Sequence, residues 1–432
     1  MMKKLLTILL AILLLPVWAL SQSPALVGYW HNWDITSAPY IMLDSVDSRY
    51  NIIDVAFAVP HAGTDYQMEF IPEQVSPAAF AMQVQSLQNQ GRKVIISMGG
   101  ATAPVSLDNT VERDSFVSSM TSIINFYGFD GIDIDFEGSS VSVSGGTIAS
   151  PVDAKIINLI DAVKQIMNNY YATHGKKMML TMAPETAFVQ GGMSAFGSIW
   201  GAYLPVIDAL RDSLEILHVQ LYNSGTMFGI DGNIYTQGTA DFIVAMTEAV
   251  IHGFNTSGGM FAGLPANKVA VGLPACTNAA GGGYTDTASV KAALDYLLGK
   301  GPKPGTYTLV QSGGYPTLRG MMTWSINWDA VNNCSSSSYQ YAENFQKIFG
   351  TGTSLSEVNL QSIFVFPNPA SDKIYISTNS DSNKPFYIYD MLGKMILSNH
   401  CSSTKQEVNI STLSNGIYYV KLENQIFKFA KY

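Results

Sequence analysis

Eight short runs of β-branched and large apolar residues recur between residues 25 and 327, and their spacing limits the folds open to this chain. They are ALVGYW (25–30), IIDVAFAV (52–59), KVIISMGG (93–100), FDGIDIDFE (129–137), KMMLTMAPE (177–185), EILHVQLYN (215–223), KVAVGLPA (268–275) and RGMMTWSIN (319–327). Helix-like stretches separate most of them. Within 152–171, Ile156, Leu159, Ile160, Val163 and Met167 repeat at helical spacing, and 78–90 and 116–126 read the same way. Strands that are nearly continuous apolar runs, alternating with helices, build a parallel sheet covered on both faces. Eight such units in about 300 residues point to a (β/α)8 TIM barrel, an α/β fold. A doubly wound open sheet is the alternative that periodicity leaves standing.

The texture changes near residue 350. GTGTSLSEVN (350–359) is small, polar and aperiodic. Beyond it come alternating runs such as KIYIS, FYIYD and IYYVKL, divided by turn signals at Pro367-Asn368-Pro369 and Ser414-Asn415-Gly416. These predict a small all-β sandwich. The chain starts with Lys3 and Lys4, an apolar stretch Leu5–Leu15, Pro16, and Ala19-Leu20-Ser21, the layout of a cleavable signal peptide. The expected organisation is a signal peptide (1–21), a barrel (22–350), a linker (351–362) and a C-terminal β-sandwich (363–432).

A net charge of -9 without a basic stripe argues against a nucleic-acid partner. No segment after the first is long and apolar enough to span a bilayer, so an exported, soluble mature chain is expected, and a monomer. The three cysteines, Cys276, Cys334 and Cys401, form no metal framework. Cys276 and Cys334 both fall in loops after late strands of the barrel and are the pair for a disulfide; three free thiols is the other reading. The six histidines show no metal-ligand spacing, so no metal and no cofactor are expected.

Only 13% of residues are charged, yet Asp130, Asp133, Asp135 and Glu137 crowd into the fourth run. Side chains alternate along a strand, so Asp133, Asp135 and Glu137 share the face turned into the barrel, and Ile132, Ile134 and Phe136 face the helices. Asp130 has the opposite parity and reads as structural. Glu137 falls at the C-terminal end, where barrel enzymes place their chemistry. Carboxylates this close in a low-dielectric interior cannot all ionise, so part of the cluster keeps a proton near neutral pH. Glu137, nearest the mouth, is the candidate general acid, with Asp135 as its partner and Asp133 holding Asp135. A calcium loop would space its ligands with Gly, Asn and Asp rather than with Ile and Phe.

This run resembles the D-x-x-D-x-D-x-E signature of the chitinases of glycoside hydrolase family 18. SMGG, carrying Ser97, Gly99 and Gly100, is similar to that family's turn after strand three. TMAPE (181–185), VQLYN (219–223) and MTWSINWD (322–329) resemble its strands five, six and eight. The resemblance covers about residues 25–350. It implies hydrolysis of β-1,4-linked N-acetylglucosamine polymers with retention, in which the substrate's own acetamido oxygen is the nucleophile and Glu137 the proton donor. It also implies that Asp135 orients the acetamide N–H and Tyr222 its oxygen, that Met182, Gln220 and Asn223 line the subsite, and that Trp324 floors it. Tyr29 and Phe57 join the substrate-binding set. Trp30, Trp33 and Trp328 either line the groove or pack under loops. The short segment 276–318 has no room for an extra domain, so a shallow groove and endo-type cutting are expected. An endo-N-acetylglucosaminidase acting on N-glycans, and a lectin-like member, are the alternatives; Glu137, which such lectins typically lose, is present.

At the C-terminus, FPNPASDKIYI (366–376), IYDMLGK (388–394) and LSNGIYYVKL (413–422) resemble the sorting domain of the type IX secretion system. The implied partner is that secretion machinery, and the implied location is secreted or cell-surface.

Overall fold

The computed structural model describes residues 24–350, 364–377, 384–390, 393–422 and 425–432, which fall into two compact units. The expected signal peptide and linker lie outside the described residues. In the first unit, all eight apolar runs become strands of one parallel sheet. These are β1 (Ala25–His31), β2 (Ile52–Pro60), β3 (Lys93–Gly99), β4 (Gly131–Asp135), β5 (Met179–Met182), β6 (Ile216–Leu217), β7 (Ala270–Pro274) and β8 (Gly320–Trp324). Their order is β7-β8-β1-β2-β3-β4-β5-β6. Parallel bridges Leu217–Val269 and Gln220–Gly272 bring β6 against β7 and complete the ring. This barrel is the expected fold; the open sheet is excluded.

Helices α1 (Pro77–Asn89), α2 (Thr110–Tyr127), α3 (Ala154–His174), α4 (Leu204–Leu210), α5 (Ala240–His252) and α6 (Thr287–Leu297) follow β2 to β7 in turn. Their starts and stops are local. The side chain of Asn109 accepts the N–H groups of Val111 and Glu112 at the start of α2, and Gly128 ends that helix in the left-handed region at φ 74°. Ser76 caps α1, with Pro77 at its first position.

Strand parity divides the core into two layers. Ile132, Ile134, Val94 and Ile96 face outward and pack against Phe116, Ile156 and Leu159 of the helices. Val27, Tyr29, Ile52, Ala56, Ile95, Ala183, Ile216 and Met322 fill the barrel interior. Two antiparallel hairpins between β6 and β7, Thr226–Phe228 with Ile234–Thr236 and Phe254–Thr256 with Gly259–Phe261, carry no counterpart in the sequence reading. Among the described residues, no helix is long and apolar enough to cross a membrane.

The second unit is all-β. One antiparallel sheet orders Phe364–Phe366, Lys373–Ser377 and Lys405–Asn409; the other orders Met395–Cys401, Lys384–Asp390, Gly416–Leu422 and Gln425–Lys431. Ile374, Ile376, Phe386, Ile388, Val408, Val420 and Phe429 form its core. Tyr418 is buried there, its hydroxyl donating to the Ser414 carbonyl, so its place in the alternating pattern reflects packing.

Cys276 and Cys334 are disulfide-bonded across a separation of 58 residues, and Cys401 is free and buried. Closing a loop of that length stabilises a fold by up to about 4 kcal/mol in the chain-entropy account. The double variant Cys276→Ser, Cys334→Ser should therefore unfold at lower denaturant, by about 2–4 kcal/mol in an equilibrium titration. An unchanged midpoint would show that the bond does not constrain the unfolded chain.

Candidate active site

Asp133 lies in the middle of β4, fully buried. Three hydroxyls donate to it, two from the flanking strands and one from across the barrel: Tyr29 of β1 and Ser97 of β3 to Oδ2, at 2.6 and 2.7 Å, and Thr181 of β5 to Oδ1, at 2.6 Å. The β-sheet register explains the convergence, because Ser97 and Thr181 are the direct partners of Asp133 on either side. Asp135 is also buried, two residues nearer the mouth, and Glu137 stands half-buried just past the end of β4. All three share the inward face, as parity requires.

Gln220 ties the top of this stack together. Its Nε2 lies 2.8 Å from Asp135 Oδ1, 3.0 Å from Glu137 Oε1 and 2.9 Å from the Ala183 carbonyl oxygen. An amide nitrogen carries only two hydrogens, so these three acceptors share them. Burial first, then the charges of Glu137 and Asp133, push the Asp135 carboxyl well above the usual carboxylate range, against the opposing pull of the Gln220 N–H. Burial also raises Glu137, while hydrogen bonds from Gln220 and Asp135 lower it. Both carboxyls are thus raised, with burial the largest cause for each. Burial is deeper at Asp135 than at Glu137, and the more buried carboxyl gains most from staying neutral.

The backbone presenting Glu137 is held by Tyr203. Its hydroxyl accepts the Phe136 N–H at 2.7 Å and donates to the Phe136 carbonyl oxygen at 2.9 Å. Tyr203 lies 67 residues away in the sequence, and no local pattern announces it. At the end of β3, Gly99 and Gly100 have φ of 97° and 83°. A Cβ on Gly99 would sit 2.8 Å from the Asp135 carbonyl oxygen, and one on Gly100 2.9 Å from the Phe57 ring. The Gly100 N–H then reaches that same carbonyl at 2.8 Å. Asp130 sits at the opposite end of β4, accepting from the Val94 N–H and from Gln88, with Lys93 beside it. These contacts tie it to the neighbouring strand β3 and to α1, away from the cleft.

Above the acids opens a cleft of about 620 Å3, lined by Asp135, Glu137, Glu185, Gln220, Tyr222, Asn223, Trp33, Phe57 and Trp324, among others. Trp324 stacks on Phe57, with centroids 5.8 Å apart and planes 14° apart. His31 stacks under Trp33 at 4.5 Å, and burial pushes it down to about 3, so it serves as a neutral aromatic plank. Tyr222 is buried beside the acids and stays a neutral phenol, because burial and then the Asp135 and Glu137 charges raise it. Asn223 takes φ 52°, tolerated by asparagine, and its Oδ1 accepts the Gly282 N–H.

Two of the expected substrate contacts are placed elsewhere. Met182 pairs in register with Ile134 and is fully buried in the barrel–helix layer; the inward positions of its strand are Thr181 and Ala183. Tyr29 is buried beneath the platform, where it holds Asp133 instead of lining the cleft. Trp30 packs under a loop, its indole N–H donating to the Ile41 carbonyl, and Trp328 packs beside the disulfide. Trp33 is the member of that set that lines the cleft.

The cleft also has walls that the sequence reading did not name. Glu185 continues the inward parity of Thr181 and Ala183, and burial followed by the Glu137 charge raises it. Asn32 clips the loop carrying Phe70, Ile71 and Glu73 to the end of β1. Its Nδ2 donates to the Ile71 carbonyl oxygen, and its Oδ1 accepts the Glu73 N–H.

Residues 25–374 match the family model for glycosyl hydrolases family 18. The chain belongs to that family. It is 48% identical over 319 residues to chitinase D of Niallia circulans, and 47% over 313 residues to chitinase Chi52 of Paenibacillus xylanexedens. The matches cover 72% and 71% of this chain but only 60% and 59% of those proteins, so the chain spans well under two thirds of their length. The crystal structure of a family 18 chitinase from Chromobacterium violaceum superposes with a TM-score of 0.66 at 36% identity, covering 76% of this chain and 85% of that one. Residues 364–431 match the secretion system C-terminal sorting domain, so this family 18 protein is secreted or cell-surface.

Gln220→Leu removes the N–H that lowers both Asp135 and Glu137. The apparent pKa of the pair should rise by about one unit, read from 13C carboxyl shifts across a pH titration. A fall, or no change, would mean that the Gln220 N–H does not stabilise the charged form of the pair.

Proposed function

We propose that the chain is an endo-acting chitinase, hydrolysing β-1,4-linked N-acetylglucosamine polymers with retention. The observation that carries this reading is the Asp135–Glu137 pair, bridged by Gln220 and set beneath an aromatic floor. An aromatic plane suits the C–H face of a sugar ring. A hexosamine seated on Trp324 brings its acetamido group toward Asp135 and Tyr222. Its N–H donates to Asp135, stabilises negative charge there, and shifts the shared proton onto Glu137. The Tyr222 hydroxyl holds the acetamido oxygen as it attacks the anomeric carbon. The glycosidic C–O bond breaks, and Glu137 gives its proton to the leaving oxygen. Glu137, now a carboxylate, takes a proton from the water that opens the oxazolinium ion from the same face, which restores the starting state. Holding an internal nucleophile in place supplies the proximity term.

The absence of an inserted domain between β7 and β8, where α6 and loops fill residues 275–319, supports cutting within a chain. The names of the relatives support chitin as the substrate. The sorting-domain match supports the type IX secretion machinery as the export partner.

Glu137→Gln should lower kcat by about 10^2- to 10^4-fold while chitooligosaccharide binding, measured by calorimetry, persists. Undiminished turnover would remove Glu137 from the mechanism. Trp324→Ala should raise KM for N-acetylglucosamine oligomers more than it lowers kcat. An unchanged KM would remove the platform from substrate binding.

A further inference from the structure

Beneath Asp133 lies a second pair of titratable groups that the reaction described above does not use. Asp54 is on β2, with the inward parity of Ile52 and Ala56. His218 follows β6, with the inward parity of Ile216, Gln220 and Tyr222. Both are fully buried. His218 Nε2 stands 3.5 Å from Asp54 Oδ2 and 3.6 Å from Asp133 Oδ1. Neither carboxyl oxygen of Asp54 and neither ring nitrogen of His218 has a hydrogen-bond partner within the protein. The groups facing this pair are Asp133 of β4 and Tyr29 of β1, whose ring stands edge-on to His218 at 6.2 Å.

A carboxylate buried without donors is too costly to keep unless it is protonated or faces a cation. Burial, then the Asp133 charge, raises Asp54 well above its ordinary range; burial lowers His218, and Asp133 pulls it the other way. The pair is therefore neutral as a whole. Two carboxyl oxygens converge on the single nitrogen Nε2; Asp133 Oδ1, already an acceptor of the Thr181 hydroxyl, gains from that approach when Nε2 carries a hydrogen.

We propose that Asp54 and His218 are positioning residues for the reaction: a buried, net-neutral pair whose Nε2–H dipole points at Asp133. It holds negative charge on Asp133 from below, as the three hydroxyls do from the sides. Asp133 then does not draw the mobile proton down from Asp135 and Glu137. This role rests on the hydrolase reading; the state of the pair itself does not.

The sign of the effect follows from hydrogen bonding to the charged form. Removing a donor that stabilises a carboxylate raises the proton affinity of the coupled stack. His218→Phe keeps a ring but loses the donor, so both limbs of the kcat/KM pH profile on a fluorogenic chitooligosaccharide should move up by about one unit. His218→Gln returns an N–H and should bring them back toward the wild-type positions. Limbs that stay in place in a His218→Phe protein with wild-type melting would overturn the proposal. Should that variant fail to fold, 15N-histidine spectra of the wild-type full chain decide: Nε2 bonded to hydrogen supports it, and a bare Nε2 overturns it. Stoichiometric zinc in the purified chain would also overturn it, because the three side chains would then be ligands. Wild-type inactivity on the same substrate, with Nε2–H observed, would instead remove the hydrolase reading.

Discussion

Everything at the catalytic end of the barrel depends on how one buried carboxyl, that of Asp133, is satisfied. A carboxylate in the centre of a protein is unfavourable unless donors surround it. Here Tyr29, Ser97 and Thr181 each supply a hydroxyl, from β1, β3 and β5. Only a closed parallel barrel brings three different strands around one point on a fourth. These three bonds fix Asp133 as an acceptor two residues below Asp135 on the same face of β4. The next two acids up the strand, Asp135 and Glu137, are both raised above the usual carboxylate range, burial being the first cause of each.

The same geometry explains why the cleft is where it is. Successive inward residues of β4 climb from buried to half-buried, so proton affinity and solvent access vary along one strand. The aromatic floor of Trp324 and Phe57 meets the strand at the level of Glu137, and Gln220 fixes the distance between the two carboxyls. The fold supplies rigidity, and the loops after β1, β2 and β7 supply the walls.

Much of this was legible in the sequence because strand periodicity is strict. The parity of DGIDIDFEG placed Asp133, Asp135 and Glu137 inward and Asp130 apart, and the eight runs announced eight strands. Parity also decides positions that motif likeness alone leaves open. Counting from Thr181 in TMAPE turns Met182 outward and Glu185 inward. The same count through EILHVQLYN turns His218 inward with Gln220 and Tyr222. Tyr29 illustrates a different limit: parity gives the face of a strand but not the depth, and a tyrosine low in the barrel meets an acid before it meets a ligand. The clip of Asn32 on residues 71–73 and the hold of Tyr203 on Phe136 depend on contacts across 39 to 67 residues, and no local pattern encodes them.

The mechanism requires one mobile hydrogen between the two uppermost acids of the stack before any sugar arrives. Neutron diffraction from crystals of the ligand-free protein at near-neutral pD observes it directly. Deuterium density on the Asp135 carboxyl, directed at Glu137, is the predicted result. Two bare carboxyls, with deuterium on Asp133 instead, would contradict the account.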